Sequence, residues 1–480
     1  MHSQKIKLVL TKEQRKRINQ IFFVAYKVYV VCVKHVQKQL RRLNRNQRYK
    51  YLLHLYGKYK EEGKAFPYKD ELNSITASYK IDKNNIEKYL IVQSHKYKHI
   101  LTSTQVQRIA DNVAQAVDAF LYHNGKAVHI KKFADFNTIS QKRLNGLKYN
   151  GYDIYFMKER YKLKGNIKIN PEEIKTLELK KIEFDNGYEY YINFILKGPQ
   201  EQRLKRGDST SGIDPGVSTV AVATDNQCML EELAPKCKDY NKKIAHLQKL
   251  IDISVRSTNK DKINPDGTFK KGSKLEYSKH AKYLKRKVRV LYRKKSDYTN
   301  CMHRKIINKI IQDSKIIKIE SMDFNALAKR SKKLERSEDL STVKTKTGEK
   351  EVHKYKKRKR FGKSVNDRSP GLFIKILKDK CELYNIKLIE INTQKVKASQ
   401  YNHKTGKCEK HKLSERTKPI GEDIVQRDLY SAFLIKNVKK DLKTIDKNKC
   451  KKDFNKFLEN QEKEIARIKD AGIKNKNFGF

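Results

Sequence analysis

Three carboxylates occupy positions where an acid is hard to explain as surface decoration. Asp214 follows Gly212-Ile213 on an apolar, strand-like stretch and precedes a Pro215-Gly216 turn. Glu320 ends the run KIIKI, so it should emerge at the end of a buried strand. Asp428 has Ile424, Ser431 and Ile435 at i−4, i+3 and i+7, beside the stripe Val425, Leu429, Ala432, which turns it inward on a helix over 424–438. A lone carboxylate in such a place costs several kcal/mol unless a cation compensates. Two compensations are open: a local Arg or Lys, of which the chain has many, or a divalent metal. Hard oxygen ligands from separate elements are what a pair of Mg²⁺ ions requires, about 4 Å apart, one activating water and the other stabilising the leaving oxygen.

The elements that must position these acids are legible from pattern. Residues 5–10 (KIKLVL) alternate as a short strand, and Thr11 with Gln14 forms a capping box. Ile18, Phe22, Ala25, Tyr29, Cys32, Val36 and Leu40 then predict a long amphipathic helix to about residue 42, with helical, Lys- and Tyr-rich sequence continuing to about 122. From 125 to 197 the pattern changes to strands, with Asn150-Gly151 and Asn186-Gly187 as hairpin signals. The segment 198–211 reads as a domain linker. Beyond it the pattern predicts a strand–turn–strand over 211–226, helices at 238–256 and 278–312, and a central parallel strand at 314–320. A charged stretch at 330–368 is expected to be mobile. Ser369-Pro370 is expected to cap a helix running to about Tyr384, followed by a strand at 386–391. The lysine-rich tail 441–480 reads as helix or disorder.

Composition bounds the partners. The 480 residues carry 110 Lys+Arg against 54 Asp+Glu, a net charge of +56. Charge this lopsided repels itself and calls for a polyanion, with nucleic acid ahead of an acidic membrane surface. The longest apolar stretch, Ile21 to Val33, contains Lys27 and is too short to span a bilayer. No apolar leader with a small-residue cleavage site opens the sequence, so secretion is not expected. Seven scattered Cys without a CxxC pair suit free thiols in a reducing cytosol.

Strand-Asp, hairpin, central strand-Glu, late helix-Asp is the order of an RNase H-like (RuvC-type) nuclease. The segments GIDPGVSTVAV, IIKIESMDFNAL and QRDLYSAFLI, with RFGKSVNDRSPGLFIKILKDKCELYNIKLIEIN before the last, resemble the RuvC nuclease of the TnpB family. These are insertion-sequence proteins often described as transposases and related to compact type V CRISPR effectors. AVHIKKFADFNTIS (127–140) and the opening strand with its TKEQ helix also fit, so the resemblance spans residues 1 to about 440.

The resemblance implies an α/β multidomain chain: an RNase H-like (RuvC) nuclease domain plus an N-terminal β-barrel wedge domain with a helical recognition insert. Its boundaries fall at 1–10 and 125–205 for the wedge, 11–124 for the insert, and 206–396 with 424–440 for the nuclease. It implies Asp214, Glu320 and Asp428 as catalytic ligands of two Mg²⁺ ions. The implied partners are a transposon-derived guide RNA and target double-stranded DNA with its displaced strand, selection coming from base pairing. A monomer in the bacterial cytoplasm, nucleoid-associated on DNA and without membrane contact, is expected.

Two departures stand out. The family places a four-Cys zinc ribbon where 397–423 here offers only His403, Cys408 and His411, an incomplete set, so zinc is not expected. The family also has an Asn two residues beyond the last aspartate, where this chain has Tyr430. The densest positive run, with Lys356, Lys357, Arg358, Lys359 and Arg360, is expected to touch nucleic-acid phosphates. The expected function is RNA-guided, Mg²⁺-dependent DNA cleavage for a transposable element. Its alternatives are a type V CRISPR effector, a nuclease-dead RNA-guided regulator, or a strand-transferring transposase.

Overall fold

The capping box opens the first long helix in the computed structural model of the chain. The Thr11 hydroxyl accepts from the Gln14 amide at 3.2 Å and the Gln14 side chain accepts from the Thr11 amide at 3.1 Å. All of the 480 residues are described except 124, 143–147, 157–158, 167, 329–335, 346–347, 356–360, 410–414, 474–477 and 480. The chain divides into two units, Met1–Gln200 and Glu201–Phe480.

The first unit begins with β1 (His2–Val9), then α1 (Lys12–Leu43), α2 (Gln47–Glu61), α3 (Lys69–Ser78), α4 (Lys83–Lys96) and α5 (Ser103–Tyr122). Strands β2 (Thr138–Lys142), β3 (Asp153–Phe156), β4 (Glu159–Leu163), β5 (Ile174–Phe184) and β6 (Gly187–Leu196) follow. They build a six-stranded sheet in the order β2-β5-β6-β1-β4-β3, every pairing antiparallel. The predicted 186–187 hairpin forms one residue out of step. Phe184 pairs with Gly187, so Asp185 and Asn186 make the loop and Gly187 opens β6 at φ +142°. Near Asn150-Gly151 the pairing is a single bridge, Tyr149 to Ile154. The apolar face of α1, including Phe22, Ala25 and Val36, shares one buried core with Ile192 and Phe194 of β6.

The second unit carries β7 (Ser209–Pro215), β8 (Thr219–Ala223), β9 (Cys228–Glu232), α6 (Cys237–Thr258), α7 (Lys279–Asp313), β10 (Ser314–Glu320) and α8 (Phe324–Ala328). Next come β11 (Arg336–Thr345), β12 (Gly348–Tyr355), α9 (Gly362–Arg368), α10 (Pro370–Leu383), β13 (Lys387–Ile391) and α11 (Thr393–Val396). The last elements are β14 (Thr417–Ile420), β15 (Asp423–Gln426), α12 (Arg427–Lys436) and α13 (Lys447–Asp470). Its main sheet runs β13-β10-β7-β8-β9, with β10 parallel to both β7 and β13, and β8 and β9 antiparallel.

Period-two alternation sorts the two faces of this sheet. Val220 and Val222 of β8 meet Ile306 and Ile310 of α7 and Phe373 of α10 in one buried layer. Ala221 and Ala223 meet Leu429 and Phe433 of α12 and Phe454 and Phe457 of α13 in the other. Both faces are covered, which is why β8 is buried along its whole length.

Two expectations are corrected. Residues 423–426 are strand rather than helix, because they pair with β14 in a tight hairpin, and Ile424 is 70% exposed. Ser369 does not cap α10 with its side chain. It sits left-handed at φ +50°, joining α9 to α10, with Pro370 opening the helix. The stretch 330–368 holds the two-stranded β11–β12 hairpin and α9 among its described residues. Of the two alternatives for the tail, the helical one is found: it forms α13, whose Cys450, Phe454, Phe457 and Ile468 are buried. Within it the Glu464 carboxylate accepts from the Leu230 amide of β9 at 2.7 Å and from Arg467 at 2.6 Å. Among the described residues no helix is long and apolar enough to cross a membrane.

Candidate active site

The site is built around a glycine. A Cβ at Gly212 would lie 2.1 Å from the Ala432 carbonyl oxygen and 2.4 Å from the Lys436 amide, so only a residue without a side chain lets α12 seat directly on β7. Seated there, the first turn of α12 carries Asp428 towards Asp214, two residues beyond Gly212 on β7. The parallel register pairs Ile319 of β10 with Ile213 of β7, which brings Glu320 level with Asp214 at the same strand ends. Three acids more than a hundred residues apart in sequence thus lie near one end of the sheet, within electrostatic reach of Asp214.

Their electrostatics are those of concentrated negative charge. Burial raises Asp214 well above the ordinary carboxylate range, and Glu320 and then Asp428 push it further the same way. The Ser431 hydroxyl and Arg427 pull in the opposite direction, although Ser431 makes no hydrogen bond of ordinary geometry. Glu320 is 7% exposed and is also raised, chiefly by desolvation, with the Thr393 hydroxyl opposing. Asp428 is compensated differently. Its Oδ1 accepts from Arg427 at 3.0 and 3.2 Å, and its Oδ2 accepts from Arg416 at 3.4 Å. Arg427 is itself anchored on the Glu415 carbonyl at 2.9 Å. For Asp428, then, the local-arginine alternative is realised in this arrangement.

Donor chemistry decides whether divalent metal fits. The three side chains offer hard oxygen atoms, and at Asp214 the negative charge is left largely unrelieved, which is the situation a Mg²⁺ ion corrects. Among the described residues, no three or more His, Cys, Asp or Glu side chains are drawn together closely enough to hold one ion. The acids therefore suit magnesium in type and charge, but Asp428 must first exchange its arginines for the ion.

The other predicted residues separate. Lys356, Lys357, Arg358, Lys359, Arg360 and His411 lie outside the described residues. His403 is 1% exposed, its Nδ1 is 2.7 Å from the Tyr430 hydroxyl, and its ring packs on Phe454. Cys408 is exposed and forms the bridge partner of Tyr401. Tyr430 points into the α12–α13 core, away from the carboxylates, where its hydroxyl also accepts from the His403 amide at 3.1 Å. The stretch 397–423 is tied by Lys418, 1% exposed, whose ammonium donates to the Gln400 and Tyr401 carbonyls at 3.1 Å each.

Pattern reading missed Arg416, Arg427, Thr393 and Ser431. Arg427 could have been noticed as a cation immediately before an acid at a helix start. Arg416 belongs to a separate segment, and only the hairpin register brings it in.

No family model matches the sequence, and no curated protein is similar to it. Solved structures that resemble it include two complexes. A cryo-EM structure of a Cas12f1–sgRNA–target DNA complex is 12% identical, with a TM-score of 0.44 over 89% of this chain and 84% of that one. A cryo-EM structure of a CRISPR–Cas12f ternary complex is 13% identical, with a TM-score of 0.27 over 88% and 82%.

Proposed function

We propose that the chain is a TnpB-like, RNA-guided DNA endonuclease that hydrolyses phosphodiesters with divalent metal. The observation that carries this reading is the meeting of Asp214, Glu320 and Asp428 at one end of a sheet, with Asp214 raised by burial and by its two acidic neighbours. The order β13-β10-β7-β8-β9, antiparallel only at β8 and β9, supports an RNase H-like (RuvC) nuclease domain. The antiparallel sheet of the first unit, interrupted between β1 and β2 by α1–α5, supports a wedge domain with a helical insert. The net charge of +56 supports nucleic-acid partners, guide RNA and target DNA.

In this reading Asp214, Glu320 and Asp428 would hold two magnesium ions. When bound, these supply Lewis acidity at the scissile phosphate and lower the pKa of an attacking water. The Thr393 hydroxyl, which lowers Glu320, donates to the Ser321 carbonyl at 2.8 Å and so holds the start of α11 against the end of β10. Arg416 and Arg427, once released from Asp428, would place guanidinium charge beside the phosphate. The basic run 356–360 would add backbone contacts, so neutralising it should weaken binding for every sequence alike and flatten the salt dependence.

The deciding experiment is cleavage of a plasmid matched to the co-purifying RNA. Cleavage in Mg²⁺ that Asp214→Ala abolishes supports the reading, and binding without cleavage overturns it. A second reading, an RNA-guided DNA-binding regulator without nuclease activity, is favoured by the arginine pairing of Asp428. It predicts RNA-dependent binding unchanged by Asp214→Ala.

A further inference from the structure

A cleft of about 630 Å³ opens beside Glu320, between the end of β10, α10 and the start of α11. Pro215, the chain neighbour of Asp214, also lines it, so the cleft includes Glu320 and reaches the end of β7. Its volume lies within the roughly 300–1,000 Å³ of small-molecule sites. Met322, Phe324 and Ile374 give its lining an apolar part. Asn392 and Gln394 add carboxamides, and Asp323 and the Lys378–Glu390 ion pair add charge. The Asn392 carbonyl oxygen is committed to capping α11, accepting from Gln394 and Lys395 amides at 2.9 and 3.2 Å, which leaves its NH₂ to donate. Gln394 is exposed and offers both a donor and an acceptor.

Apolar side chains together with amide groups are what a single nucleobase needs: apolar surface for the ring and hydrogen-bonding groups for its edge. We propose that this cleft is a nucleoside subsite that receives one unstacked base next to the scissile phosphate, with Gln394 and Asn392 contacting its edge. The inference rests on the nuclease reading for its orientation. A phosphodiester at Asp214 and Glu320 places the adjoining nucleoside at the cleft mouth. A base inside an intact duplex stack cannot enter, so the strand must be unpaired at that position.

The test uses the full chain and single-stranded oligonucleotides carrying one abasic position, moved stepwise across the cut. An abasic residue at one fixed position relative to the cut should lower kcat/KM about tenfold or more. Met322→Trp, which fills the cleft, should reproduce that loss on an intact strand and make the enzyme indifferent to the abasic position. Gln394→Ala, at an exposed position that leaves folding intact, should change base preference at that position only. Equal cleavage at every abasic position, with Met322→Trp cutting like wild type, overturns the subsite while leaving the nuclease reading standing. Should wild type cut nothing, the nuclease reading fails, and 2-aminopurine fluorescence in metal-free buffer judges the cleft by itself. A position-specific signal lost in Met322→Trp keeps the subsite, and a signal insensitive to that variant removes it.

Discussion

The Asp428 carboxylate is shared between two arginines, and the longer contact, 3.4 Å from Arg416, reaches it from outside its own helix. A carboxylate held this way has its lone pairs engaged, so magnesium must compete with guanidinium for it. Removing Arg416 weakens the competitor but leaves Arg427 in place. Arg416→Ala should therefore lower the Mg²⁺ concentration for half-maximal cleavage by about two- to fivefold, in line with the modest worth of a partly exposed ion pair. Calorimetric titration of Mg²⁺ into the chain should show the same shift. A higher requirement would sink this account and make Arg416 a holder of substrate phosphate instead.

The close approach at Gly212 makes a second prediction. Gly212→Val forces side-chain atoms against the backbone of α12, at a cost of about 1–3 kcal/mol or more. The helix must lift, and Asp428 rides on its first turn. Cleavage should be lost with a fall of several degrees in Tm, while RNA binding by the rest of the chain persists. Retained cleavage would mean that α12 does not set the position of Asp428.

Asp214 links stability to pH. Its folded-state pKa is raised, so between the ordinary aspartate value and the raised one the folded chain holds a proton that the unfolded chain has lost. Stability from this group is therefore present at low pH and is lost as pH rises through the raised value. Asp214→Asn should melt above wild type near pH 8 in chelator, and the gap should close towards pH 4. Excess Mg²⁺ should raise wild type but not the variant. A constant gap across this range would contradict the burial and repulsion assigned to Asp214.

His403 works with the opposite sign. Burial, with Lys404 and Lys451 nearby, lowers it to about 4, so the folded chain excludes a proton that the unfolded chain binds below about 6.5. Stability should fall as pH drops through this window, by at most about 1.4 kcal/mol per pH unit. His303, also lowered to about 4 by burial, adds a slope of the same sign. Urea melts at several pH values should show a shallower acid slope in His403→Gln than in wild type.

The three carboxylates could be read from the sequence because each carries a local signal: a turn, the end of an apolar run, or a helical stripe. Ser314–Glu320 forms as predicted since a short β-branched run has few alternatives in a covered sheet. The start of α12 is hidden from pattern because Ile424 and Val425 suit either period, and only pairing with Lys418 and Pro419 decides for strand. The left-handed Ser369 and the Arg416 contact were equally hidden. A backbone turn and an ion pair across segments depend on where other elements end, which no local pattern encodes. His403 shows the reverse failure: a residue whose type suggests metal serves as packing against Phe454.

The grip of Glu464 on the Leu230 amide reaches beyond the packing of α13. β9 is an outermost strand, and unpaired amides along such a margin invite strands of other molecules to add on. An acid that takes one of these donors, with an arginine covering the acid, blocks that addition chemically as well as sterically. The closing helix thus guards solubility: a chain shortened before α13 should self-associate through β9 before it unfolds.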